Sequence, residues 1–176
     1  MSYSFELFRI PEGIEPDSAW NKHIEEQETR MLERIRGVYN YGETDPDKQR
    51  SKHQLAASLI AHIPSLKMFM PDYTKIAKAK SISEPEARRR FRDVELNEHQ
   101  LRIQITLFDD SVGLSIAAAG REHLRHALQT AWSCLRILSS DGGFAIHDSQ
   151  IGAVLNLNTD FNTVFECYRK CHGEID

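Results

Sequence analysis

The sequence predicts an α+β protein in which an antiparallel sheet of about five strands carries helices mainly on one face. Two apolar hairpins and one long amphipathic helix between them support this prediction. Strands that follow each other across tight turns pair antiparallel, and a sheet with one apolar face buries it under helices. The expected order of elements is β-α-α-α-α-β-β-α-β-β-α.

The chain begins with a predicted strand and a predicted helix. Residues 3–10 alternate apolar and polar side chains at period two, and Tyr3, Phe5 and Leu7 share one face. Pro16 opens a helix that extends to about residue 37. Its apolar residues recur at helical spacing, so we expect them to form a buried stripe. The members of that stripe are Trp20, Ile24, Met31 and Ile35.

Three more helices are predicted before the next strand. Residues 47–62 form an amphipathic helix that ends before Pro64. The short apolar stretch 65–71 predicts neither helix nor strand. Helices follow over 72–80 and 83–92, and the second one begins with Ser83 as N-cap and Glu86 as its capping-box partner.

The second half of the chain contains the clearest elements. Strands over 101–107 and 112–117 are joined by a turn at Asp109 and Asp110, and a second hairpin pairs residues 144–147 with 154–157. A helix over 120–140 ends at Gly142 and Gly143, and a last helix covers 159–171. The apolar stripe of the long helix consists of Leu124, Ala127, Leu128, Ala131, Leu135 and Leu138.

Composition fits one globular domain over residues 1–176. The chain has 27% charged and 40% hydrophobic residues, an ordinary globular balance. The N-terminus has no basic segment followed by an apolar run, so we expect no signal peptide. An odd number of cysteines, three, favours reduced thiols and a cytoplasmic location over a disulfide framework.

The net charge of -4 conceals three charge blocks. Residues 1–47 carry 11 acids and 5 bases, residues 48–92 carry 11 bases and 3 acids, and residues 93–176 carry 12 acids and 6 bases. The blocks could bind charged partners or attract one another within the fold.

The basic block contains a pattern that resembles a helix-turn-helix over residues 73–91. Small Ala77, a turn near Ser81 and the N-cap Ser83 precede a short basic helix. The pattern is also typical of a capped helical corner that packs on the sheet, which we expect first. If the corner bound nucleic acid, its contacts would come from Lys75, Lys78, Arg88, Arg89, Arg90 and Arg92.

No stretch of the sequence carries a recognisable catalytic motif. His123 and His126 are three residues apart, whereas zincin helices space histidines by four with the glutamate after the first. Nucleophile elbows, phosphate-binding glycine loops and dinucleotide fingerprints are lacking. We therefore predict no catalytic residues, no metal and no cofactor, and favour a binding protein over an enzyme.

Three segments resemble a group of uncharacterised bacterial proteins: residues 82–91, the stretch from 95–97 into 103–110, and residues 143–157. The likeness covers about the last two-thirds of the chain. Small α+β proteins of this build are similar to the immunity proteins of bacterial polymorphic toxin systems. One departure is the sequence Ala117-Ala118-Ala119-Gly120, where aromatic residues would be expected in such relatives.

These observations rank three functions. The first is a non-enzymatic protein-binding module, an immunity protein that neutralises a cognate toxin by occluding its active site. Its candidate contacts are acidic: Glu25, Glu26, Glu28 and Glu33 on the first helix, and Asp109 and Asp110 in the hairpin turn. The second is a nucleic-acid-binding protein that uses the basic corner over 72–92. The third is a small enzyme or ligand-binding domain of unknown substrate.

Overall fold

The computed structural model describes residues 2–117 and 121–172. Ala118, Ala119 and Gly120, part of the stretch 117–120 noted above for lacking aromatic residues, lie outside these residues. The strands are β1 (Tyr3–Phe8), β2 (Lys67–Met68), β3 (Val94–Glu98), β4 (Ile103–Leu107), β5 (Val112–Ile116), β6 (Ala145–Asp148) and β7 (Ala153–Val154). The helices are α1 (Pro16–Ile35), α2 (Pro46–His62), α3 (Tyr73–Lys80), α4 (Glu84–Arg90), α5 (Leu124–Gly142) and α6 (Phe161–Cys171). A 3₁₀ turn at Arg121–His123 leads into α5.

The strands form one antiparallel sheet in the order β2-β3-β4-β5-β1-β6-β7. The N-terminal strand β1 lies inside it, between β5 and β6, with Phe5 opposite Leu114 on one side and Asp148 on the other. The first strand therefore joins the two predicted hairpins into a single sheet. The α+β class and the antiparallel sheet are confirmed.

The sheet has seven strands within the described residues, where the sequence predicted about five. The two additional strands are β2 and β3 at one edge. β3 alternates only two apolar residues, Val94 and Leu96, with polar ones, and β2 has two residues. Segments this short give almost no periodic signal in the sequence, so pairing with a neighbour defines them.

One face of the sheet forms the core, which α2, α5 and α6 cover. Buried and partly exposed residues alternate along β3, β4 and β5, as a sheet with one covered face requires. Tyr3, Phe5 and Leu7 point to the same face and are fully buried. The apolar stripe predicted for α5 is buried along its whole length, and Gly143 ends the helix in the left-handed conformation with φ +67°.

Helix α1 contacts the opposite face of the sheet. Phe8 and His147 are one residue out of phase with the core positions of β1 and β6, so they point away from the core. The indole of Trp20 stacks on the His147 ring at a centroid distance of 3.7 Å and lies 5.3 Å from the Phe8 ring. His23 adds a stacked contact with Phe8 at 5.8 Å. Its N-terminal half therefore attaches α1 to the sheet.

The prediction that the α1 stripe is buried is wrong for its second half. Trp20 and Ile24 are half-buried, but Met31 is 62% exposed and Ile35 is 70% exposed. Ala19 is the only buried residue of the helix. The helical spacing of the apolar residues predicts which of them share a face of α1, but it does not predict whether another element packs against that face.

Helices α3 and α4 form the capped corner that the sequence predicted. Ser81 ends α3 with φ +53°, in the left-handed region that glycine usually fills, and the Ser83 hydroxyl accepts a hydrogen bond from the Glu86 backbone N–H at 3.2 Å. The Glu86 carboxylate binds the Arg89 and Arg90 side chains and not the Ser83 backbone N–H, so only the Ser83 half of the predicted capping box is formed. Within the described residues, no helix is long and apolar enough to cross a membrane.

Candidate functional site

Three clefts open around the turn between β4 and β5, here called the hairpin tip (residues 108–111). The first, of about 420 Å³, lies between the tip, α2 and the end of α5. The second, of about 120 Å³, lies between the tip, α4 and the second half of α1. The third, of about 540 Å³, lies between the tip, the end of β1 and α1. The hairpin tip is therefore where these three clefts meet.

Ion pairs with α2 and Arg92 hold the hairpin tip in place. The Lys52 ammonium, only 5% exposed, donates to the Asp109 carboxylate at 2.8 Å and to the Arg92 carbonyl at 3.1 Å. The Arg92 guanidinium reaches the other Asp109 oxygen at 2.7 Å. Lys48 pairs with Asp110 at 2.6 Å on the surface. The basic and acidic blocks of the sequence thus neutralise each other here.

The two carboxyl groups beside Lys52 respond oppositely to their surroundings. Burial alone would raise the pKa of Asp109, but Lys52 and Arg92 outweigh it and lower that pKa. Burial raises the pKa of Asp93, and the attraction of Lys52, 4.0 Å away, only partly offsets it. Asp109 is therefore ionised in its ion pairs with Lys52 and Arg92, which are structural.

The cleft between α1 and α4, here called the arginine cleft, brings together residues that are far apart in sequence. Five arginines and two tyrosines line it: Arg30, Arg34, Arg89, Arg90, Arg92, Tyr39 and Tyr41. The Arg34 guanidinium carbon lies 4.7 Å from the centre of the Tyr39 ring and 5.8 Å from that of Tyr41. The Arg90 guanidinium carbon lies 5.4 Å from the same Tyr41 ring.

The second half of α1 and Val38, three residues beyond the end of this helix, present an exposed apolar face, here called the α1 apolar face. It comprises Met31, Leu32, Ile35 and Val38, which are between 51% and 70% exposed. Residues three and four positions apart lie on one side of a helix, so Met31, Leu32 and Ile35 form a continuous strip. Val38 follows this strip after Gly37, whose φ of +71° ends the helical geometry. Exposed apolar side chains of this size in one strip are typical of surfaces that contact another molecule.

The acidic residues predicted to bind a partner separate into two groups. Glu25 and Glu28 are exposed and lie on the α1 apolar face, because Glu28 precedes Leu32 by one turn and Glu25 precedes it by two. Glu26 lines the third cleft, and Glu33 is half-buried. Asp109 and Asp110 are ion-paired at the hairpin tip.

Local carboxylates pair with nearly all the basic residues predicted to bind nucleic acid. Arg88 contacts Glu84 at 2.7 Å, and Arg89 and Arg90 both contact Glu86. These pairs lower the pKa of Glu84, chiefly through Arg88, and that of Glu86, chiefly through Arg90. Arg92 binds Asp109 at 2.7 Å and Lys75 binds Asp72 at 3.2 Å, while Lys78 is exposed. The corner is thus more nearly neutral than its sequence indicates.

Two groups of titratable side chains are buried away from the clefts. Burial lowers the pKa of His147, which is stacked under Trp20, and among the described residues its Nδ1 has no hydrogen-bond partner. On the core side, the Tyr3 hydroxyl donates to the fully buried Asp148 at 2.7 Å. No cluster of three or more potential metal-ligating His, Cys, Asp or Glu occurs in the part of the chain the structure describes.

Sequence reasoning missed four residues of the arginine cleft: Arg30, Arg34, Tyr39 and Tyr41. Arg30 and Arg34 belong to the first predicted helix, whose candidate contacts were its acidic residues, and the tyrosines lie between that helix and the next, where no element is predicted. The one available signal was the spacing of Arg30 and Arg34, four residues apart and hence on one helix face. Their contacts with α4 depend on the tertiary fold.

A scan against protein-family models, a search of curated proteins and a search of solved structures find no match to this chain. The site geometry is therefore the basis for the functional argument.

Proposed function

We propose that the protein is a non-enzymatic protein-binding module whose α1 apolar face docks on a partner. The observation that carries this proposal is the row of large apolar side chains, each more than half exposed, along the second half of α1. The helix is fixed to the sheet at Trp20, so it presents this row on a preformed support. A preformed helix loses little conformational entropy when it binds.

The charges around the α1 apolar face favour a partner with a basic rim. Glu25 and Glu28 lie beside Leu32 with their carboxylates exposed, and no ion pair engages them within the described residues. Interfaces typically combine an apolar centre, which supplies most of the energy, with charged rims that accelerate association. A basic cleft of a nucleic-acid-cleaving toxin has this chemistry, so we propose that the protein is an immunity protein occluding such a cleft.

Nucleic-acid binding is the weaker alternative because Glu84, Glu86 and Asp109 neutralise four of the arginines it requires. It stays a prediction, and salt-sensitive binding of DNA or RNA by the purified protein is its test.

Site-specific photocrosslinking in cells of the source organism tests the docking proposal. A crosslinker at position 35 should capture a partner that a crosslinker at position 70 does not. Met70 is the matched control because it is 74% exposed and apolar but lies beyond β2, at the other edge of the sheet from β7. Equal capture at both positions, or none at position 35, would contradict the proposal.

The captured partner must then pass two further tests. With purified proteins, Leu32→Glu should weaken binding by about thirtyfold or more, as loss of a central apolar contact does, while Phe69→Glu should not. If the partner is a toxin, its expression alone should stop growth. The wild-type protein should restore growth and Leu32→Glu should not.

A further inference from the structure

The arginine cleft concentrates positive charge that its own carboxylates do not balance. Five guanidinium groups line it against two carboxylates, Asp93 and Asp109, which leaves an excess of three positive charges. Two carboxylates outside the lining offset part of that excess: Glu86 binds Arg89 and Arg90, and Glu43 lies 3.6 Å from the Arg89 guanidinium. Arg30 and Arg34 have no ion pair with a carboxylate in residues 2–117 and 121–172. An excess of positive charge in one cleft favours the binding of an anion.

The tyrosine rings contact two of the arginines, and within the described residues the Arg34 guanidinium donates no hydrogen bond to the protein. Arg34 and Arg90 both lie near the Tyr41 ring, and Arg92 donates to the Tyr41 carbonyl at 2.5 Å. A guanidinium that contacts an aromatic ring uses its flat face, whereas its five N–H donors lie in its plane. The Arg34 donors are therefore free to reach an acceptor in the cleft.

We propose that the arginine cleft binds a phosphoryl dianion, either free phosphate or the phosphate of a small phosphomonoester. Arginine side chains line the cleft from three parts of the fold: from α1, from α4 and from Arg92, which follows α4 in the chain. A tetrahedral group with three or four acceptor oxygens can accept from several such directions, whereas a planar carboxylate presents two oxygens. The cleft volume of about 120 Å³ fits one phosphate group, so the rest of a larger monoester would lie outside the cleft.

This site would act apart from the proposed docking function, but it shares a helix with it. Arg30 and Arg34 lie on the side of α1 that faces α4, and Met31 and Ile35 lie on the exposed side. A dianion bound between the two helices would tie the free half of α1 to the body of the protein. The ligand would thereby rigidify the support of the α1 apolar face.

Titration calorimetry and thermal unfolding test the proposal on the whole protein, with ionic strength held constant by chloride. Inorganic phosphate should bind with a stoichiometry of one and raise the unfolding temperature, while chloride should not. Adenosine monophosphate is the second arm. Tighter binding of this ester than of phosphate identifies a phosphomonoester as the ligand, and the reverse identifies free phosphate.

Charge-removing variants locate the site. Arg34→Gln and Arg90→Gln should each weaken phosphate binding by about tenfold or more, because each removes a charge-assisted contact. Arg88→Gln is the matched control, since Arg88 is on the same helix as Arg90 but pairs with Glu84 and lies over Tyr73 outside the cleft. Both arginines are exposed, but Arg34 has no ion pair within the described residues whereas Arg90 binds Glu86, so Arg34→Gln tests the site even if Arg90→Gln fails to fold.

Two results would overturn the proposal. One is that neither phosphate nor the monoester changes the unfolding temperature relative to chloride. The other is that Arg88→Gln weakens binding as much as Arg34→Gln, since that would show attraction to the net charge of the surface without a defined site. Crosslinking through position 35 is independent of both results, so the docking proposal can fail or survive separately.

Discussion

Helices α1 and α5 have almost the same length, 20 and 19 residues, and both show an apolar stripe in the sequence, yet only α5 is buried along its face. α5 crosses the core face of the sheet, and its alanines at 127 and 131 allow close approach. α1 meets the other face through Trp20 and then extends beyond its contacts. An amphipathic sequence therefore determines which residues share a helix face. The surrounding fold determines whether that face is buried in the core or left exposed for a partner.

The largest difference between the helices should appear when each loses one apolar side chain. Leu135→Ala in α5 should lower the free energy of unfolding by about 2–5 kcal/mol, because it opens a cavity in a fully buried layer. Ile35→Ala in α1 should change it by less than about 0.5 kcal/mol, since that side chain is 70% exposed. Urea denaturation of both variants measures the two effects. A comparable loss in both would mean that the α1 face is covered within the folded protein.

Trp20 should be the one residue of α1 whose removal has a substantial effect. Trp20→Ala removes the contacts with Phe8 and His147, and we expect a loss of about 1–2 kcal/mol because the indole is half-buried. Hydrogen exchange should show the amides of α1 losing protection while those of α5 keep theirs. Uniform loss of protection in both helices would instead make α1 part of the same cooperative unit as the core.

The fold was predictable from the sequence wherever periodicity coincided with a core face. The pattern of residues 3–8, the stripe of α5 and the cap at Ser83 each depend on neighbours in sequence, and each is confirmed. The strands β2 and β3 were missed because they are too short and too polar to show a period. Exposure of the α1 stripe was unpredictable for a different reason: it depends on what lies opposite, which no local pattern contains.

The same distinction applies to the candidate site. The sequence identifies the acidic and basic residues, but it does not show which of them pair with each other. Lys52 and Asp109 are 57 positions apart and meet only because β4 and β5 end beside α2. Arg34 reaches the cleft that contains Arg90 because the second half of α1 lies beside α4 and the hairpin tip. Long-range pairs of this kind require the topology first.

Acidification should loosen α1 while leaving α5 unaffected. Burial lowers the pKa of His23 and of His147, both of which pack around Trp20, and nearby carboxylates of Glu6, Asp17 and Asp148 only partly oppose this effect. A histidine whose pKa is lower in the folded state binds fewer protons there than when unfolded. The stability it contributes is therefore complete above pH 6.5 and falls as the pH drops below that value toward the folded-state pKa.

Hydrogen exchange across pH 7 to pH 5 should detect this loss first in α1, after correction for the intrinsic pH dependence of exchange. His147→Phe keeps a ring under Trp20 but cannot be protonated, so it should remove part of the pH dependence. An unchanged pH dependence in this variant would show that His147 does not contribute, and His23→Phe would then test the other ring.

The smallest expected effect is the most informative about function. Ile35→Glu places a charge at the centre of the α1 apolar face, and in the isolated protein it should change the free energy of unfolding by less than about 0.5 kcal/mol. The physical reason is that water already covers this position, so the charge loses little hydration, while Leu135→Glu in α5 would bury a carboxylate in the core and prevent folding. Sedimentation at increasing concentration, together with urea denaturation, checks the result.

A loss above about 1.5 kcal/mol that grows with protein concentration would mean that a second copy of this chain covers the face. The charge would then be buried in an assembly of two chains, and only the stability of such an assembly depends on protein concentration. A near-zero change would instead leave the face free in the purified protein, as docking on a different partner requires.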